Sequence, residues 1–276
     1  MTLSIITINY NNAAGLEKTI KSVISQTCKR YEFIIIDGGS KDGSKDIIER
    51  HQDQITYWVS EPDNGIYNAM NKGVKVAKGE YCIFMNSGDI FVDNDVIRDV
   101  FNIGFIADII TGGIIINNNV VYYGPQKVSL AHFFTKSISH QASFIKTELL
   151  RKIPYDENLK IVSDWKFFIE AIVINKYSYK PINRLIGQME PEGIGANLSL
   201  SEKEHIDVLH HLLPEYAFED YISFIFGESE YDRFYKGVKN SRFKKMIYTA
   251  NCIFFKVLLF WKKNSWVKKF PLTTKQ

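Results

Sequence analysis

Apolar and polar residues alternate in blocks along the first third of the chain. Leu3-Ser4-Ile5-Ile6-Thr7-Ile8 is apolar and β-branched and predicts a buried strand, which Asn9-Tyr10-Asn11-Asn12 ends. Between Ala13 and Gln26, Leu16, Ile20, Val23 and Ile24 recur at helical spacing. A second strand is predicted from Tyr31 to Asp37, then a helix through Ile47, Ile48 and His51. A third strand covers Ile55 to Val59, and a helix runs from Ile66 to Val76, closed by Gly79. Tyr81 to Met85 is a further apolar run that breaks into Asn86-Ser87-Gly88-Asp89. This strand–helix alternation predicts an α/β fold, a mostly parallel sheet with helices on its faces.

The second half is less regular. Ala107 to Ile116 and Val120 to Tyr123 flank Asn117-Asn118-Asn119 as a hairpin. A helix after Ser163 carries Phe167, Phe168, Ala171 and Ile172 on one side. A strand from Leu185 to Met189 leads into Glu190 to Ala196, read either as a closing loop or as an ordinary connector. Residues 201–212 and 216–226 read as helices.

In open α/β sheets, ligands bind outside the carboxyl ends of the strands. Three loops there carry Asp37, Asp63 and Asp89. Carboxylates gathered at one edge repel unless a cation or a ribose separates them. Each also has a plainer reading. Asp37 or Asp42 would serve as a helix N-cap, and Asp89 would bond its own turn. No GxGxxG follows the first strand and no GxxxxGK[ST] occurs, which disfavours a dinucleotide-binding site and a P-loop. Asn9 to Asn12 stand where a pyrophosphorylase would carry a Gly-rich basic loop.

Composition adds two constraints. The three cysteines, Cys28, Cys82 and Cys252, are far apart, so neither a thiolate zinc site nor a disulfide framework is expected, and a reducing cytoplasmic setting fits. The N-terminus has no basic stretch ahead of its first apolar run, so no signal peptide is expected. The net charge of +3 conceals an asymmetry. Twelve Lys and Arg lie from Arg233 onward, with no acidic residue among them, so the preceding part is net acidic. The apolar run Ile253 to Trp261 is interrupted by Lys256 and is shorter than the roughly 20 residues of a membrane span. A basic, aromatic-rich helix of this kind suits the surface of an anionic membrane; the alternative is a helix packed on the main domain. Nothing in it resembles a nucleic-acid-binding motif.

Four segments together resemble a known family. They are Ser4-Ile5-Ile6-Thr7-Ile8-Asn9-Tyr10-Asn11, Asp37-Gly38-Gly39-Ser40-Lys41-Asp42-Gly43-Ser44, Glu61-Pro62-Asp63-Asn64-Gly65-Ile66-Tyr67-Asn68-Ala69-Met70-Asn71-Lys72-Gly73 and Asn86-Ser87-Gly88-Asp89. In this order they resemble the family 2 glycosyltransferases of bacterial surface-polysaccharide synthesis, which have the GT-A fold. The resemblance covers about residues 1–190. It implies a GT-A domain over residues 1–200; the sequence beyond it, 201–276, reads as a basic helical extension, expected to associate with the cytoplasmic face of the membrane or to pack on the domain. It also implies an inverting, metal-dependent transfer from a UDP-sugar to a glycan or lipid-linked acceptor.

Residue roles follow from the same resemblance. Asp37 and Asp63 would bind the nucleoside, with Tyr10 and Asn12 near it. Asp89 would hold Mn²⁺ or Mg²⁺. Asn86 stands where the family's Asp-x-Asp motif usually has a carboxylate, and would give polarity to ribose or phosphate without charge. Asp164, at the start of the helix after Ser163, would be the general base, although Ser163 replaces the family's usual Glu. Asp164 would otherwise be a plain first-turn charge capped by Ser163. His140-Gln141 matches a pair found in part of the family and would lie near the acceptor or diphosphate. The rival readings are a nucleotidyltransferase on a similar sheet and a non-catalytic sugar-nucleotide-binding protein.

Overall fold

The computed structural model describes residues 3–116, 120–189 and 198–227. The expected hairpin turn at 117–119, the loop from Glu190 to Ala196 and the basic tail from Arg233 lie outside the described residues. The chain divides into two compact units, Met1–Leu213 and Pro214–Gln276.

The first unit begins with β1 (Leu3–Asn9), α1 (Ala13–Ile24), β2 (Tyr31–Asp37), α2 (Ser44–Arg50), β3 (Tyr57–Ser60), α3 (Ile66–Val76) and β4 (Tyr81–Phe84). It continues with β5 (Ile90–Phe91), α4 (Val96–Ile103), β6 (Ile109–Ile116) and β7 (Val120–Tyr123). Then come α5 (Leu130–Phe133), β8 (Ser143–Lys146), α6 (Thr147–Lys152), α7 (Ser163–Phe168), β9 (Tyr179–Gln188) and α8 (Leu198–Leu212). The described part of the second unit is mainly α9 (Glu215–Phe226), which carries a Phe218–Tyr221 ring pair. Among the described residues no helix is long and apolar enough to cross a membrane.

One sheet of nine strands organises the first unit, in the order β3-β2-β1-β4-β8-β6-β9-β5, with β7 paired to β6. The four strands of the alternating N-terminal segment are parallel to one another. β1, β2 and β4 are buried over most of their length, which is why they read as continuous apolar runs, whereas β3 at the sheet edge is only partly covered. The second half adds mixed pairings: β8 is antiparallel to β4 and β6, whereas β9 is parallel to β6. The third strand starts at Tyr57 rather than Ile55, because Gln52–Gln54 form a 3-10 turn and the Ile55 amide bonds back to Gln52. After α7 the chain widens into a π-helical stretch, Ile169–Ile174.

Helix α3 buries Tyr67, Met70 and Val74, a stripe with helical spacing. The chain then returns to the sheet at Gly79. A β-carbon there would lie 2.5 Å from the Ser4 backbone nitrogen. Gly79→Ala therefore forces two backbones apart and is expected to cost about 1–3 kcal/mol, read from the urea midpoint.

Candidate active site

The sheet register builds the first part of the site. Asn9 pairs with Asp37, and Asp37 with Ser60, so all three stand in one row at the carboxyl ends of β1, β2 and β3. Asp37 is wholly buried. Its carboxylate accepts bonds from Asn9 Nδ2 (2.7 Å), Ser60 Oγ (2.6 Å), Ser40 Oγ (2.5 Å) and the Ser40 amide (3.0 Å). Burial alone would raise its pKa; the hydrogen bonds outweigh it and hold the carboxyl below the ordinary range. In this structure Asp37 ties two loops to the sheet from beneath.

Above it, three groups converge. A β-carbon on Gly38 would lie 2.5 Å from Asp63 Oδ2 and 3.1 Å from the Tyr10 ring. The absent side chain at Gly38 thus leaves space that the Asp63 carboxylate occupies. Asp63 Oδ1 accepts from the Gly65 amide at 2.9 Å, which fixes the carboxylate at the entry to α3. Tyr10 is 68% exposed, with its ring face available to a flat ligand. Asn12 is bonded within the fold. Its Oδ1 caps α1 at the Gly15 amide (3.0 Å), and its Nδ2 donates to the Ser87 carbonyl (3.2 Å).

The turn Asn86–Asp89 hangs from α1. Thr19 Oγ1 accepts from the Gly88 amide (2.9 Å) and lies 2.7 Å from the Asp89 carbonyl. Ser87 Oγ donates back to the Asn12 carbonyl at 3.1 Å. Gly88 has φ +102°, a left-handed conformation that glycine adopts without strain. Asp89 is buried. Asn86 Nδ2 lies 3.2 Å from His140 Nε2, and Asn86 Oδ1 is buried without a hydrogen-bond partner among the described residues. Among the described residues no group of three His, Cys, Asp or Glu is placed to hold a metal.

The second half of the chain meets this turn through His140. Its Nδ1 lies 2.8 Å from Asp164 Oδ2. The neutral Nδ1–H tautomer satisfies both contacts at once, donating to Asp164 and accepting from the Asn86 amide. Asp164 Oδ1 lies 3.0 Å from the Tyr67 hydroxyl, which is also 2.5 Å from the Ile161 carbonyl, so one proton serves two acceptors. The Asp164 side chain is 17% exposed. Burial raises its pKa, but the bonds from His140 and Tyr67 prevail and the carboxyl stays below its ordinary value. Burial and the nearby Asp164 push the Tyr67 hydroxyl far above the usual phenol range. Val162, not Ser163, is the cap position of α7, and Ser163 Oγ accepts from the Asp156 amide. Gln141 is nearly buried and accepts from Ser139 Oγ at 2.8 Å.

A cavity of about 250 Å³ opens beside Tyr67, between Asn64–Ile66 on one side and Glu157, Leu159 and Lys160 on the other. The expected residues therefore form two groups. Tyr10 and Asp63 face each other across Gly38, while Asn86, His140 and Asp164 form a hydrogen-bonded chain. Sequence reading gave no role to Tyr67, Thr19 or Ser60. Tyr67 lies within the segment Glu61–Gly73, but its partner is 97 residues away, and nothing local signals that contact.

The family model described as "Glycosyl transferase family 2" matches residues 4–154. An uncharacterized glycosyltransferase of Mycobacterium tuberculosis is 35% identical over 188 residues, 63% of this chain and 70% of that protein. A PGL/p-HBAD biosynthesis glycosyltransferase of Mycobacterium bovis is 30% identical over 177 residues, 61% of this chain and 68% of its own length. Among solved structures, residues 1–349 of Staphylococcus aureus TarS with UDP-GlcNAc superpose with a TM-score of 0.62 at 17% identity, covering 89% of this chain and 78% of that one. A Pyrobaculum calidifontis mannosyltransferase with GDP-Man and Mn²⁺ gives 0.57 at 15% identity, covering 76% and 63%. These two likenesses show the fold, a GT-A-type sheet with flanking helices. With the family model spanning more than half of the chain, this protein belongs to glycosyltransferase family 2.

Proposed function

We propose that this glycosyltransferase moves a sugar from a UDP-sugar to a hydroxyl of a glycan or lipid-linked acceptor, with inversion at the anomeric carbon, in surface-polysaccharide synthesis. The observation that carries the reading is the Asp164 carboxylate, held ionised between His140 and Tyr67 and linked through His140 to the Asn86–Asp89 turn. The relatives' names support glycosyl transfer, and the UDP-GlcNAc complex of TarS supports a UDP-sugar donor.

In this reading the uracil lies on the Tyr10 ring, with its N–H directed to Asp63. Asp37 and Asn12 keep the surrounding loops in place from behind. The acceptor enters by the cavity beside Tyr67, on the side of His140 and Gln141. Its hydroxyl oxygen bonds to the anomeric carbon as the bond from that carbon to the diphosphate breaks. The electron pair leaves with UDP, and the acceptor's proton passes to Asp164. A single displacement inverts the configuration.

The donor set fits a hard divalent ion only in part. Asp89 offers a carboxylate and Asn86 an unpartnered buried oxygen, so Mn²⁺ or Mg²⁺ would need diphosphate oxygens and water to complete its shell. A cation bound there supplies charge neutralisation to the departing diphosphate. The basic tail, on sequence grounds alone, would hold the enzyme at the cytoplasmic face of an anionic membrane.

The test is calorimetric titration with UDP, with and without Mn²⁺, alongside UDP release from a panel of UDP-sugars labelled in the sugar and in uridine. Asp63→Ala is expected to weaken UDP binding by about 10- to 150-fold, one lost charge-assisted bond. Mn²⁺ should bind measurably only when UDP is present. Transfer of labelled UMP in place of labelled sugar would establish the nucleotidyltransferase reading. Binding of UDP without any turnover across the panel would favour the non-catalytic one.

A further inference from the structure

Glu204 is a buried carboxylate to which the reaction above gives no part. It lies on α8, beyond the segment that the family model matches. Its oxygens accept three consecutive backbone amides: Lys160 at 2.7 Å, Ile161 at 2.9 Å and Val162 at 3.2 Å. Bonds from backbone amides to an ionised acceptor are among the stronger hydrogen bonds in proteins. The three residues so held lead directly into Ser163 and Asp164.

The grip continues on the other side of Asp164. The Trp165 ring meets His205 edge-on, with centroids 4.4 Å apart. Trp165 Nε1 also donates to the Phe133 carbonyl at 3.1 Å. His205, next to Glu204, is anchored by its Nδ1 to the Ser201 carbonyl at 2.8 Å. Two neighbouring side chains of α8 therefore contact the chain on both flanks of Asp164. Ile161 is fixed at both ends of its peptide, by Glu204 at its N–H and by the Tyr67 hydroxyl at its carbonyl. That same hydroxyl reaches Asp164. Lys160 of the clamped segment and the preceding Leu159 also line the cavity beside Tyr67.

We infer that Glu204 is a positioning residue for the catalytic base: by binding the amides of residues 160–162 it sets where the Asp164 carboxylate stands relative to Tyr67 and His140. The inference rests on the reading of Asp164 as base. The donor slot at Tyr10, Gly38 and Asp63 is built from other segments, so the effect of Glu204 falls on turnover and not on nucleotide binding. This separates positioning from general support of the fold.

The experiment compares wild type, Glu204→Ala, Glu204→Gln and Asp164→Asn in the full chain. It measures UDP release from whichever of UDP-glucose, UDP-galactose and UDP-GlcNAc the wild type turns over fastest, UDP affinity by calorimetry, and amide exchange at residues 160–162. Glu204→Ala is expected to lower kcat by about 10- to 100-fold, the scale of an ångström-sized displacement of a catalytic group. Exchange at residues 160–162 should speed up, and UDP affinity should stay within about twofold. Glu204→Gln, which keeps one acceptor oxygen, should recover part of the rate. A Glu204→Ala enzyme at wild-type kcat with the three amides exposed would overturn the inference. So would parallel loss of kcat and UDP affinity in both Glu204 variants, which marks a structural role. Should the Ala variant fail to fold, Glu204→Gln decides alone: reduced kcat at unchanged UDP affinity supports positioning, and unchanged kcat removes it. Wild-type activity in Asp164→Asn would bring down the base assignment; an inactive Asp164→Asn beside a fully active Glu204→Ala brings down only the role of Glu204.

Discussion

Asp164→Asn is expected to lower kcat by about 10²- to 10⁴-fold, the usual contribution of a general base, with UDP affinity almost unchanged. The amide preserves the shape of the carboxylate and can still meet His140 and Tyr67, so the loss reports proton transfer and not collapse of the site. The pH profile carries the second half of the expectation. Bonds from His140 and Tyr67 hold the Asp164 carboxyl below its ordinary range against the opposing effect of burial. The base is then ionised throughout the neutral range, and the acid limb of kcat should fall below the ordinary carboxylate pKa of about 3.9. The 2.8 Å contact admits a second arrangement, in which His140 takes the proton and Asp164 only orients it. Asn86 stands against this, since its amide covers the one nitrogen that would accept. If His140 were the base, His140→Gln would lower kcat at least as far as Asp164→Asn does. Comparing kcat of the two variants separates the arrangements.

The second large effect falls on stability. Asp37→Ala is expected to cost about 3–5 kcal/mol, because it removes a wholly buried carboxylate and leaves its donors without an acceptor. Two serine hydroxyls, one asparagine amide and one backbone N–H all point at it. The pH dependence follows from the direction of the shift. The folded-state pKa lies below the unfolded value, so this stabilisation is fully present above about pH 4 and is lost as pH falls through the folded pKa. Asp37→Asn should be less stable near neutrality and show a flatter loss in acid. Urea midpoints between pH 2.5 and 7 measure both. An Asp37→Ala variant within about 1 kcal/mol of wild type would mean that the loops at Ser40 and Ser60 hold themselves.

The parallel half of the sheet was legible because its signals are local. Apolar runs of about strand length, helical spacing in between and small polar breaks at the strand ends place Asp37, Asp63 and Asp89 at one edge without any knowledge of long-range contacts. The second half was less so, since β8 and β6 enter antiparallel and no periodicity states which neighbour a buried strand will choose. Within the site, position was readable and surroundings were not, as at Asp37. Its place at a strand end was readable, but its burial depends on Ser60, which comes from a different strand and meets it only through the register. Asn12 is similar: its place after the first strand was readable, but its bonds to α1 and Ser87 were not. Tyr67 and Glu204 were silent because each acts on the Asp164 segment from far along the chain. Gly38 shows the reverse case, where a missing side chain makes room for the carboxylate of another loop.

The Thr19 hydroxyl touches Gly88, Asn86 and Asp89 at once, while Asn12 and Ser87 bond each other in both directions. The Asn86–Asp89 turn, which would face the diphosphate in the proposed reading, is therefore ordered by a helix of the core before any substrate arrives. Its loss of conformational freedom belongs to folding and not to association, so little of the interaction energy with the nucleotide is consumed in arranging this turn. Substitutions at Thr19, although remote from every reacting atom, would transfer that entropic cost to the binding step.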